Sequence, residues 1–141
     1  MKVDVGTPAE SSDILGCMVF DLTLQGWRAI GWLGVLALVF LCVIPSPAAL
    51  DELPAWSDKC YHAFAYGLLM WWLARGYPRR HWLALAIFLA VLGIVIEYLQ
   101  SLTTYRTGSV FDELADLVGI GCGYLLAHYT PAGFPPLRTA E

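Results

Sequence analysis

The sequence predicts an all-α protein, a polytopic membrane bundle of four transmembrane helices with both termini in the cytoplasm. Three observations predict it. Hydrophobic residues make up 58% of the 141-residue chain and charged residues 14%, against roughly 25% charged in soluble domains, so the apolar excess calls for a lipid solvent. Long apolar stretches are divided by short segments that hold proline, glycine or clustered charge. With four spans, Arg28, Arg75, Arg79, Arg80 and Arg138 fall on one side and only Lys59 and Arg106 on the other, which makes the first side cytoplasmic.

Residues 1–26 read as an amino-terminal tail, because Pro8, Glu10, Asp13 and Asp21 interrupt its apolar residues; a short interfacial helix around Leu15 to Leu24 is expected there, too broken to span. Leu15-Gly16-Cys17 looks like a lipoprotein cleavage box. The residues before it are polar and acidic, so neither a cleaved signal nor lipidation is expected. The membrane domain covers residues 27–130. Its first helix runs from Trp27 to Ile44 and stops at Pro45 and Pro47. After an acidic loop with Asp51, Glu52 and Pro54, Ser57 and Asp58 supply N-cap chemistry to a second helix from Lys59 to Ala74. That helix is short, about 24 Å at 1.5 Å per residue. Arg75, Gly76, Pro78, Arg79 and Arg80 make a tight basic turn, and Trp82 to Gln100, apolar until Glu97, is the third helix. A polar segment with Gly108 leads to the fourth helix, Asp112 to Tyr129, which Pro131 closes. Residues 131–141, with Pro135-Pro136, are expected to be a disordered tail.

Aromatic residues gather at both ends of the spans: Trp71, Trp72, Tyr77 and Trp82 at the inner boundary, Trp56, Tyr98 and Tyr105 at the outer one. On the fourth helix Ala115, Gly119, Gly123 and Ala127 recur every four residues, a small-residue stripe for close packing within the chain or, alternatively, for dimerisation. Ala63 and Gly67, and Ala86, Ala90 and Gly93, repeat the device on the second and third helices. Cys17, Cys42, Cys60 and Cys122 share no metal-ligand spacing and read as structural. No basic face or nucleic-acid motif appears, which sets a nucleic-acid partner aside.

The expensive residues of an apolar span are the ionisable ones, each costing at least roughly 2.5 kcal/mol in lipid, so they face the bundle interior and find partners. Asp58, His62 and Tyr66 share one helix face by their spacing of four, as do Asp112 with Asp116, and Glu97 shares a face with Gln100 and Ser101, three and four residues on. His62, Glu97 and Asp116 come from three helices and lie about one turn inside the outer boundary, with Lys59 and Arg106 nearby. A polar pocket open to the outer face follows. Its carboxylates, Asp58, Glu97, Asp112 and Asp116, outnumber Lys59 and Arg106, which favours a cation or a cationic ligand but does not imply a metal. Blander roles also fit: Asp58 and Asp112 as helix caps, His62 as a structural hydrogen bonder.

Asp58-Lys59 followed by His62 and Tyr66, then Glu97 with Gln100, Arg106, and Asp112, Ala115, Asp116, Gly119 and Gly123, resembles the VanZ-like family of bacterial membrane proteins over roughly Pro45 to Tyr129. Asp116 stands where many members carry Asn, and the stretch between Arg106 and Asp112 reads Thr-Gly-Ser-Val-Phe, one of several variants. The resemblance implies a multi-pass protein of the bacterial plasma membrane; the name-giving members are associated with resistance to the glycopeptide teicoplanin, and the family has no agreed activity.

Three functional readings follow. In the first, the outer pocket binds a lipid head group or envelope precursor through Lys59 and Arg106, while Asp58, His62, Tyr66, Glu97, Gln100, Asp112 and Asp116 orient it. In the second, the chain is an accessory or assembly subunit of a larger membrane complex or homo-oligomer. The third is an intramembrane enzyme with Glu97 or His62 as general base, although no serine or cysteine nucleophile stands at a suitable spacing from His62. No cofactor is expected.

Overall fold

The computed structural model describes residues 8–44, 54–102 and 109–130. They form α1 (Pro8–Val43), α2 (Ala55–Gly76), a 3₁₀ turn (Arg79–His81), α3 (Trp82–Ser101) and α4 (Val110–Tyr129). The loop with Asp51 and Glu52, the turn at Gly108 and the tail from residue 131 lie outside the described residues.

The boundary expected at residue 26 is not a break in the backbone. α1 is one helix of 36 residues, about 54 Å long at 1.5 Å per residue. Asp13 and Asp21 make a poor membrane segment but do not break a helix, and the one proline of this stretch, Pro8, occupies the first position, where its missing N–H is not needed. α2 corrects the sequence reading at both ends: it has 22 residues, about 33 Å. Pro54 is its N-cap without a side-chain cap bond, and the Ser57 N–H donates to the Pro54 carbonyl at 2.8 Å. Ser57 and Asp58 therefore stand inside the first turn and do not cap it. α4 likewise starts two residues early, at Val110, and its cap is Ser109, whose hydroxyl accepts from the Phe111 N–H at 3.3 Å. Asp112 is freed for another role.

Among the described residues, two segments are long and apolar enough to cross a membrane, Thr23–Val43 and Arg79–Ser101. α2 carries Asp58, Lys59, His62 and Arg75, and α4 carries Asp112, Glu113 and Asp116. The distribution of polarity is inverted relative to a water-soluble bundle. Asp112, Asp116, His62, Gln100 and Arg75 are buried, while Leu36 and Phe40 of α1, Ile87 and Ile94 of α3, and Val118 and Leu125 of α4 are exposed.

α2 and α4 form the most extensive helix pair. They run parallel, Ala63 facing Gly119 and Gly67 facing Gly123, and a β-carbon on either Gly119 or Gly123 would overlap the opposite backbone carbonyl. Only glycine permits this approach, and it brings the two small-residue stripes into direct backbone contact. α3 runs antiparallel to both, and α1 is fastened to α2 near its middle and to α3 at its C-terminal end. In the middle of α1, Trp27 stacks on Trp72 at 3.8 Å between ring centroids, and each indole N–H donates to the other residue's carbonyl at 3.0 Å. Arg28 adds a 2.7 Å bond to the Gly76 carbonyl. At the C-terminal end of α1 the Gln100 amide donates to the Cys42 carbonyl at 2.8 Å. Tyr66, Met70, Leu73 and Leu89 are the largest fully buried side chains.

Candidate functional site

The parallel register of α2 and α4 sets two polar pairs side by side at one end of the bundle. Lys59 Nζ meets Asp112 Oδ1 at 2.8 Å, and about one turn deeper His62 Nδ1 meets Asp116 Oδ1 at 3.0 Å. The outer pair is partly open, with 37% of the Lys59 side chain exposed against 9% of Asp112. The inner pair is closed, and His62 and Asp116 are both buried. Asp58, exposed one turn before His62, contributes a carboxylate oxygen; one ligand atom each from Asp58, His62 and Asp112 lies within 4.8 Å of the other two.

α3 closes the third side. The Glu97 carboxylate accepts the Ser109 N–H at the start of α4, an orphan donor of that helix end. Glu97 thus serves α4 directly, in addition to any role toward a ligand. Gln100 is buried and tied to α1 through Cys42. Tyr66 is 1% exposed and sits deeper still. Of the sequence-derived site residues, Asp58, Lys59, His62, Asp112 and Asp116 are brought together on α2 and α4, while Glu97, Gln100 and Tyr66 flank them through other contacts. Arg106 lies outside the described residues. Ala115 and Ala127 continue the α4 stripe, Ala127 buried at 1%.

Sequence reasoning missed Glu113. A β-carbon built on Gly93 would lie 2.8 Å from Asp116 Oδ2, 2.9 Å from Glu113 Oε2 and 3.4 Å from the Tyr66 hydroxyl, so three polar atoms converge where α3 has no side chain. The Glu113 Oε2 and the Tyr66 hydroxyl are buried with no hydrogen-bond partner among the described residues. The signal was available: Glu113 precedes Asp116 by three, which puts both on one side of α4.

The opposite end has a different chemistry. Arg75 is buried and donates to the Thr130 carbonyl at 3.3 Å, Trp82 donates to the Tyr77 carbonyl at 3.0 Å, and the Arg28 guanidinium lies 4.6 Å from the Tyr77 ring centre. The aromatic residues expected as an inner interfacial belt therefore also bond the helices to one another. At the end that holds the polar pairs, Trp56 and Tyr98 are exposed.

No curated protein and no solved structure matches the chain. A family profile described as VanZ/LLP1 matches residues 25–130, reaching back over the second half of α1, beyond the stretch that carries the polar motif. With three quarters of its length matched, polar cluster and packing stripe included, the chain belongs to the VanZ-like family.

Proposed function

We propose that this VanZ-like chain is a four-span protein of the bacterial plasma membrane that holds a lipid head group or an envelope precursor at the polar end of its bundle. The inverted polarity supports the membrane reading: a surface of exposed Leu, Ile, Val and Phe on every helix would self-associate in water. α2 and α4 hide their charges against each other, which lets helices too polar by composition stand beside α1 and α3 in lipid. Arg28, Arg75, Arg79 and Arg80 belong to the end remote from Lys59, so that end faces the cytoplasm with the termini, and the polar pairs face outward.

The observation that carries the binding reading is the graded ladder of Lys59–Asp112 above His62–Asp116. It offers a partly exposed ammonium at the mouth and buried acceptors behind it. A lipid phosphate would take the ammonium and head-group hydroxyls the carboxylates. Beyond His62 the same helix pair bounds an apolar groove of about 250 Å³ lined by Ala63, Gly67, Trp71, Cys122 and Gly123, whose apolar lining suits the acyl chain of the same molecule.

Native mass spectrometry of the protein released from mild detergent tests the reading. A discrete lipid or precursor adduct is expected on the wild type and lost in Lys59→Ala and Arg106→Ala. A bare wild-type chain, or an adduct retained by both variants, overturns it, and a chain seen only with another subunit transfers support to an assembly role.

A further inference from the structure

We propose that Asp58, His62 and Asp112 form a binding site for a first-row divalent metal ion of the zinc and manganese class. The sequence alone implied no metal, because Asp112 is 54 positions from Asp58 and the three fall into no ligand spacing. The fold supplies the missing proximity.

The donor set is one imidazole and two carboxylates, a mixture that suits zinc, manganese or iron better than magnesium or calcium. One ligand atom from each residue lies within 4.8 Å of the others. Around a tetrahedral ion with bonds near 2.1 Å such atoms stand about 3.4 Å apart, so small side-chain rotations close the site. Asp58 and His62 are successive residues of one helix face, and the register of Asp112 against them is held by the glycine contacts of α2 with α4.

The observation that points to a ligand is the state of His62. The residue is nine-tenths buried, its Nδ1 is occupied by Asp116 at 3.0 Å, and its Nε2 has no hydrogen-bond partner among the described residues. A buried imidazole with one nitrogen held by a carboxylate and the other left open is the arrangement of a metal-ligating histidine, in which the carboxylate fixes the tautomer and ring orientation. Asp116 is a positioning residue in this assignment and not a ligand. Asp58 is exposed and gives the ion a path in. Lys59, 2.8 Å from Asp112, is the cation that occupies part of the site without the metal. Its side chain is exposed enough to swing aside.

This inference goes beyond the lipid reading and stands without it, since the site is complete in the protein alone. The test is isothermal titration of the full chain in lipid-free detergent with Zn²⁺, paralleled by the visible spectrum of bound Co²⁺. One ion per chain is expected, lost in His62→Ala and at least tenfold weaker in Asp58→Asn. Asp116→Asn should weaken binding by roughly ten- to a hundredfold. Lys59→Gln should tighten it, because the substitution removes a competing positive charge. Asp58 and Lys59 are exposed enough to be changed without loss of the fold, which circular dichroism checks. Absence of saturable uptake by the wild type, or equal affinity in wild type, Asp58→Asn and Lys59→Gln, overturns the assignment. Lipid adducts measured after chelation separate the failure of this site from that of the lipid reading.

Discussion

The carboxylate of Asp116 holds the imidazole of His62 at 3.0 Å across the α2–α4 crossing, with both groups buried. Removal of one partner leaves the other unsatisfied, which costs about 1–3 kcal/mol. Asp116→Ala should therefore lower the midpoint of unfolding in detergent, whereas Asp116→Asn, which retains a carbonyl acceptor, should lose less than half as much. Equal losses would show that charge, and not the hydrogen bond, holds the pair.

Gly119 and Gly121 make a matched comparison. Alanine at Gly119 drives a methyl into the backbone of Ala63, while nothing lies within 4 Å of the same methyl at Gly121. Gly119→Ala should destabilise by about 1–3 kcal/mol through overpacking, and Gly121→Ala should be neutral or gain up to about 1 kcal/mol from helix propensity. Thermal unfolding monitored by circular dichroism reads both.

Gly93→Ala places its methyl 2.8 Å from Asp116 Oδ2 and 2.9 Å from Glu113 Oε2. These are side-chain ends, so they yield where the Ala63 carbonyl does not. A smaller stability loss than for Gly119→Ala is expected, together with weaker Zn²⁺ binding as Asp116 shifts under His62. Metal affinity equal to wild type would detach the Gly93 cluster from the site.

Tyr66→Phe removes a buried hydroxyl that has no partner among the described residues. Stability should be unchanged or raised by about 1 kcal/mol. A clear loss in chemical denaturation would reveal a ligand or water held by that hydroxyl.

Membrane orientation can be read from cysteine. Cys60 is exposed at the end that bears the polar pairs and Cys42 is buried. An impermeant maleimide added to intact cells should label Cys60 and not Cys42; labelling of Cys60 only in inverted vesicles would reverse the proposed topology.

The interior limits of the helices were legible where an apolar run ends at proline or polar residues. Trp82 and Tyr129 stand at the expected ends of α3 and α4. The start of α1 was not, because the interfacial helix expected around Leu15 to Leu24 and the span expected from Trp27 are one continuous helix, and the acidic residues that argue against immersion do not interrupt it. Asp58 and Asp112 read as caps because the helices were expected to begin later than they do, and a shift of a few residues moves both into the first turn, where Asp112 becomes a buried, inward-facing side chain. The pairing of Lys59 with Asp112 and of His62 with Asp116 depends on helix rotation. In a chain whose outer faces are as apolar as its core, hydropathy carries little of that information. The reciprocal Trp27–Trp72 contact was hidden for the same reason.

The members of the two polar pairs are separated by 53 and 54 residues, with the whole of α3 between them. During synthesis Lys59 and His62 therefore emerge, and α2 must find its place, before either acidic partner exists. α4 arrives last with Asp112, Glu113 and Asp116, and its docking neutralises what α2 has left exposed. A chain interrupted after α3 would carry Lys59 and His62 without the acidic partners that α4 brings.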